Sequence, residues 1–220
     1  MRRVVLMLVF GWTARGARAD VAVDWAKGVV TAEGIGIADR HAPNPAVARG
    51  TSRRGAEETA RVQLARGLGA LPVASGGTVA DKAKDAATRA RIDRAVAQAV
   101  AIAAQPETDG AWKVTMAVPI EAIRQAIEDG PRHVATNGDG AEPAEPAEPG
   151  SSATVVVEGA TAKPAIGWAV GTAHVATLWV KDVPAWAKDA PHVTSTRAKD
   201  GKLDVGSVGN AATLYVIVTP

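Results

Sequence analysis

The side chains that could carry chemistry in this sequence are four histidines, a few serines in glycine-rich turns, scattered carboxylates, a pair of tryptophans and a cluster of arginines. His41, His133, His174 and His192 stand apart. None belongs to an H-E-x-x-H run or to a histidine pair at the spacing that holds a metal. Serine occurs in "VASGG" (73–77) and "VGSVG" (205–209). Neither has the strand-to-helix setting and partner base of a nucleophile elbow, so both read as turns. "GIGIAD" (34–39) begins like a dinucleotide fingerprint but lacks its third glycine, and the segment before it suggests a hairpin rather than a strand–helix crossover. Asp109, Glu128 and Asp129 fall at loops or helix ends, where acids commonly cap or solvate. Asn137, Asp139 and Glu148 are spaced like parts of a calcium loop, but Ala141 takes a ligand position and Glu142 stands where glycine is required. The expectation is a protein that is not an enzyme, with no cofactor and no metal.

Two sharper candidates remain as ligand or partner contacts. Trp179 and Trp186 flank "KDVPA" and could stack against a sugar ring, or could fill a core short of other aromatics. Arg53 and Arg54 lie in "NPAVARGTSRRGAEETARVQLARGL" (44–68), which holds five arginines. Arg53 with Glu57, Arg54 with Glu58 and Glu57 with Arg61 are each four apart, the spacing of ion pairs along a helix. They read as a solvated, mixed-sign helix face or as a contact for anionic lipid or polymer.

The elements that must position these groups follow from periodicity. "VAVDWA" and "GVVTAEGIGIA" alternate as strands, joined by a turn near Lys27 and Gly28. Pro45 sits at a helix start, and residues 46–68 place Ala48, Ser52, Ala56, Ala60, Leu64 and Leu68 four apart on one face. Side chains so small let the first half of that helix lie almost flush on a sheet. "LPVASGGTVA" predicts a short strand leading to a helix over about 81–96. Residues 98–105 and 111–118 predict a hairpin, and Pro119 a short helix closed by Gly130 and Pro131. Three AEP units within 137–152 predict an extended linker. Beyond it, "ATVVVEG", "VATLWV" and "AATLYVIVTP" predict strands, whereas "PAWAKDAPH" and "AKDGKLDVGSVGN" predict loops. The expected fold class is α+β. An antiparallel sheet packed by two or three helices (20–136) precedes the linker, and a small β-rich C-terminal unit (153–220) follows it.

The N-terminus predicts export. Arg2 and Arg3 precede an apolar run, Val4 to Trp12, and Ala17 and Ala19 form an A-x-A site before Asp20. The run is far short of the roughly 20 residues of a spanning helix, and no transmembrane segment is predicted elsewhere. Residues 1–19 are therefore expected to be a signal peptide, and the destination periplasmic or extracellular. The chain has no cysteine, so it carries neither a disulfide nor a lipid-bearing cysteine. Removing 1–19 takes away four arginines and leaves 21 basic against 23 acidic residues, a net of −2 instead of +2. A globally basic, nucleic-acid-seeking protein is therefore not expected.

The run "VDWAKGVVTAEGIGIA", the break with "NPAVA", the small-residue helix "ARGTSRRGAEETARVQLARGL", the strand "PVASGGTV" and the hairpin "DGAWKVTMAVPI" together resemble the N-terminal domain of flagellar assembly protein T. They also resemble the related small outer-membrane lipoproteins. The similarity covers about 23–128, and the later "TVVVEGATAKPAIG" is similar to a segment that often follows. The resemblance implies a non-catalytic envelope protein associated with the outer membrane or with a surface appendage, and it supplies no catalytic residues. It implies envelope proteins as partners. A periplasmic glycan- or peptidoglycan-binding module is the alternative, with peripheral membrane or glycan contact as its mode.

Overall fold

The computed structural model describes residues 21–128, 154–206 and 212–219. The expected signal peptide and AEP linker, the Gly130 and Pro131 stop, His133 and the calcium-like positions lie outside the described residues. Strand β1 (Val21–Asp24) turns into β2 (Val29–Gly36) through Gly28, whose φ of 66° suits a residue without Cβ. The Asp24 carboxylate fastens that turn by accepting the Lys27 backbone N–H at 3.0 Å. Strands β3 (Val100–Pro106) and β4 (Trp112–Pro119) form the second hairpin. The sheet order is β1-β2-β4-β3, antiparallel throughout.

Period-two alternation gives this sheet a dry and a wet face. Along β2, Val30, Ala32, Gly34 and Gly36 point inward, while Glu33 and Ile35 are exposed. Helix α1 (Pro45–Leu68) covers the dry face. It is capped by Asn44, whose side chain accepts the Val47 N–H at 3.0 Å, and has Pro45 in its first turn. The stripe expected from the sequence is its buried face, with Ser52, Ala56, Ala60, Leu64 and Leu68 inside and Ala48 half-buried.

The flush seating needs the strand as much as the helix. A Cβ on Gly36 would overlap the Ser52 carbonyl oxygen and lie 2.6 Å from the Ala56 nitrogen. One on Gly34 would overlap the Ala56 carbonyl and lie 2.5 Å from the Ala60 nitrogen. Ser52 uses the closeness: its hydroxyl donates to the Gly36 carbonyl at 2.6 Å in a buried setting. "GIGIAD" therefore owes its two glycines to backbone contact.

The helix expected over about 81–96 is two helices, α2 (Val79–Lys82) and α3 (Ala86–Ala97). Asp85 causes the break, because its carboxylate caps the second by accepting the Thr88 N–H at 2.7 Å. Thr78 and Asp81 form a capping box on the first. Helix α4 (Ile120–Ile127) follows β4 directly and adds Ile120, Ile123 and Ala126 to the core with Val114, Met116 and Val118.

Residues from 154 onward build a second sheet of order β6-β9-β8-β5-β10-β7. Its members are β5 (Thr154–Glu158), β6 (Ala169–Val170), β7 (Ala176–Val180), β8 (His192–Lys199), β9 (Lys202–Val205) and β10 (Leu214–Val218). The centre is parallel: β10 runs parallel to both β5 and β7, and β5 to β8. Val155, Val156 and Val157, like Tyr215, Val216 and Ile217, are consecutively buried because both faces of these strands are covered.

Two expected loops are corrected here. "AKDGKLDV" is the β8–β9 hairpin, turned by Asp200 and Gly201 at φ of 51° and 77°, as a two-residue Asp-Gly turn requires. "PAWAKDAPH" holds a turn of 3-10 helix, Ala185–Ala187, and runs into β8.

The two units meet through short backbone pairings. The Ala74 N–H donates to the Ile166 carbonyl at 2.8 Å, and the Ile166 N–H to the Pro72 carbonyl at 2.9 Å. Ile166 itself joins the first core, and Trp25 packs against the second.

Two glycines separate the packing claim from helix propensity. Gly36→Ala is expected to lose about 1–3 kcal/mol of stability, since backbone atoms must move to admit the methyl. Gly50→Ala, on the exposed side of α1 with nothing within 4 Å of the added carbon, is expected to gain about 0.5–1 kcal/mol. Urea denaturation of both variants checks the opposite signs.

A second expectation concerns acid. Hydrogen bonds from Lys84 foremost, and from Thr78, lower the Asp81 pKa to about 2. A depressed carboxylate pKa stabilises the fold above its ordinary value and loses that contribution as pH falls toward 2. Asp81→Asn should therefore lower stability at neutral pH and flatten its fall between about pH 4 and pH 2, read by thermal melts across that range.

Candidate functional site

Three of the α1 arginines bond within their own helix. Arg53 is tied to Glu57, Nε to Oε1 at 3.3 Å, and its guanidinium lies 5.6 Å from the centre of the Trp112 ring. Arg54 donates to the Gly50 carbonyl of its own helix at 3.3 Å, and Arg61 pairs with Glu58 at 3.8 Å. The surface is mixed in sign and bound mostly to itself.

The tryptophans sit on different elements, Trp179 on β7 and Trp186 on the 3-10 turn. Trp179 points into the second core, is 4% exposed and meets Trp168 edge-on at 6.0 Å between centroids. Trp186 is 61% exposed on the 3-10 turn after Pro184. A groove of about 700 Å³ nonetheless passes both, running between the end of β1 and the end of β7, with Asp24, Trp25, Lys181 and Asp182 on its walls.

Sequence reasoning missed the densest charge cluster. Arg124 on α4 is 5% exposed. Its Nε and Nη2 donate to the two Glu121 oxygens at 2.7 and 2.5 Å, and Nη1 donates to Glu128 Oε2 at 2.5 Å. The bonds to Glu121 hold its pKa above the already high ordinary value, against the desolvation that burial imposes. Such a group is a permanently charged strut and not a proton carrier. The only sequence signal was the i, i+3 and i, i+4 spacing of Glu121, Arg124 and Glu128, which looks the same on any solvated helix.

Arg124 and Glu128 form one wall of a cleft of about 590 Å³ at the junction of the units, opposite Gly167, His174 and Lys202. His174 Nδ1 is buried without a hydrogen bond, 3.7 Å from Glu128 Oε2 and so beyond bonding reach. His192 on β8 bonds Glu158 Oε1 on β5 at 2.8 Å. No group of three metal-ligating side chains occurs among the described residues. No helix among them is long and apolar enough to cross a membrane.

The third feature, also missed, is an apolar edge. β3 is the outer strand of the first sheet, and its far side pairs with no strand among the described residues. Val100 and Ile102 on it are 60% and 57% exposed, and Ile35 on the open face is 61% exposed. A bulge interrupts the pairing between Ala101 and Ala103, making Ile102 the extra residue. The hairpin was foreseen, but that β3 lies outermost depends on β4 pairing with β2, which local pattern does not state.

Comparison with known proteins gives no match to any family model and none to a curated protein.

The Arg124 cluster generates a stability expectation. Arg124→Met leaves the Glu121 and Glu128 carboxylates beside an apolar side chain with no cation, which should cost about 3 kcal/mol. Glu121→Gln keeps one hydrogen-bond acceptor and should cost less. Chemical denaturation distinguishes them, and equal midpoints would mean that solvent already screens the cluster.

Proposed function

We propose that this chain is an exported, non-catalytic envelope protein that acts by association, its first unit taking an extended segment of a partner protein as an added strand along β3. One observation carries the reading. The seven residues of β3 form an outer strand that bears no Lys, Arg, Asp or Glu and presents exposed Val100 and Ile102. Soluble proteins blunt such edges with charge or cover them, because an open row of backbone donors and acceptors recruits another strand. The bulge at Ile102 would blunt the edge, yet its extra residue is apolar, and pairing from Ala103 to Pro106 is regular. Strand addition obtains affinity from backbone hydrogen bonds and selectivity from alternate side chains. The resemblance to flagellar assembly protein T and to small outer-membrane lipoproteins supports the envelope setting and the absence of catalysis. The basic, apolar and A-x-A succession of residues 2–19 supports export.

The test is a crosslinked pull-down from the cell envelope with the native chain, Ile102→Lys and Arg54→Glu. Envelope proteins are expected with the native chain and with Arg54→Glu, and they should be lost with Ile102→Lys while its melting temperature is unchanged. Equal recovery by all three would place the contact elsewhere. Recovery of polysaccharide alone would overturn the association reading.

A further inference from the structure

The groove beside Trp186 is built differently from the β3 edge. Its outward ring belongs to Trp186, 61% exposed and the one exposed tryptophan among the described residues. Trp25, half-buried, stands on the opposite unit and lines the same groove. Pro184 precedes the 3-10 turn with φ of −66°, which fixes the direction from which Trp186 is presented. Lys181 and Asp182 line the wall and make no ion pair or side-chain hydrogen bond among the described residues. Asp24 keeps its charge, its pKa lowered chiefly by the Lys27 backbone N–H.

The backbone in this groove is already engaged. The Trp179 N–H donates to the Trp25 carbonyl at 3.1 Å, and the Val180 carbonyl accepts the Thr219 N–H at 2.9 Å and its hydroxyl at 3.3 Å. A peptide arriving as an added strand would find these groups used. What the groove offers instead is an indole face with carboxylates and an ammonium around it. A pyranose ring fits that set, because its C–H face stacks on indole while its equatorial hydroxyls donate to carboxylate and accept from ammonium. With Lys27 tied to Asp24, one free cation faces one free and one paired carboxylate, so an anionic polymer gains nothing from the walls.

We propose that this groove binds an uncharged β-linked pyranose chain, with Trp186 as its stacking platform and Lys181 and Asp182 as its hydroxyl contacts.

The experiment is a titration of the purified full chain with two neutral probes, the β-1,4-linked tetramer of N-acetylglucosamine and cellotetraose, followed by calorimetry and tryptophan emission. At least one should bind saturably with a Kd of about 1 mM or tighter, and should protect an exposed indole from acrylamide. Trp186→Ala, an exposed position that should leave folding intact, should weaken binding at least about tenfold, and Asp182→Asn should weaken it a few-fold. Any one of three outcomes overturns the assignment: no saturable signal with either probe at about 10 mM, binding that survives Trp186→Ala, or binding of a proline-rich peptide but of neither saccharide.

Discussion

The contact of α1 with β2, backbone against backbone, is the constraint on which the first unit depends. Ala56, Ala60 and Ser52 on the helix meet Gly34 and Gly36 on the strand, and the strand has no room for another carbon at those two points. Close packing makes such an interface sensitive to a single methyl, because backbone cannot retreat as a side chain can. The buried Ser52 hydroxyl finds its own partner in this contact by donating to the Gly36 carbonyl. Further along, where Leu64 and Leu68 replace alanine, the helix has larger side chains to bury against the sheet.

Seating the long helix on one face leaves the other face to solvent. The open face carries the Glu33–Lys113 pair at 2.7 Å beside Ile35, a mixture suited to water with one apolar spot. The outermost strand follows from the same topology, since β3 reaches the sheet only through β4. At the opposite side of the unit, β1 crosses the last turn of α1 so closely that Gly67 has room only for hydrogen against Val21. The second unit is joined through Ile166, the 72–74 segment and Trp25. Arg124 and its two carboxylates stand behind that junction, where the second unit covers them.

Much of this was legible because it is local. The four-residue stripe of α1, the alternation of β2 and the hairpin of β3 with β4 are written in neighbouring residues, and the unbroken apolar runs of β5 and β10 mark strands covered on both faces. The illegible parts depend on distant partners. Gly34 and Gly36 looked like a damaged nucleotide fingerprint because the helix they receive begins several residues later. The β8–β9 hairpin carried its Asp-Gly turn in plain view, but β8 is largely exposed and polar, so it lacked the apolar alternation that marks a strand. The break at Asp85 was hidden by alanine-rich flanks that favour helix on either side. Trp179 and Trp186 looked like a pair because they are seven apart, yet the strand turns one ring inward and the 3-10 turn presents the other. Arg124 was indistinguishable from an ordinary surface arginine until a second unit covered it.

The α1–β2 contact closes one side of the first sheet while the outer edge of β3 stays open. Amide hydrogen exchange on the isolated protein, resolved by residue, tests it most directly. The slowest exchange is expected at Ala56 and Ala60 and across β2 and β4. Along β3 alternation is expected, with amides facing β4 protected and the intervening ones exchanging at nearly solvent rates. Uniform protection along β3 in the isolated protein would contradict it, because the edge would then already be occupied.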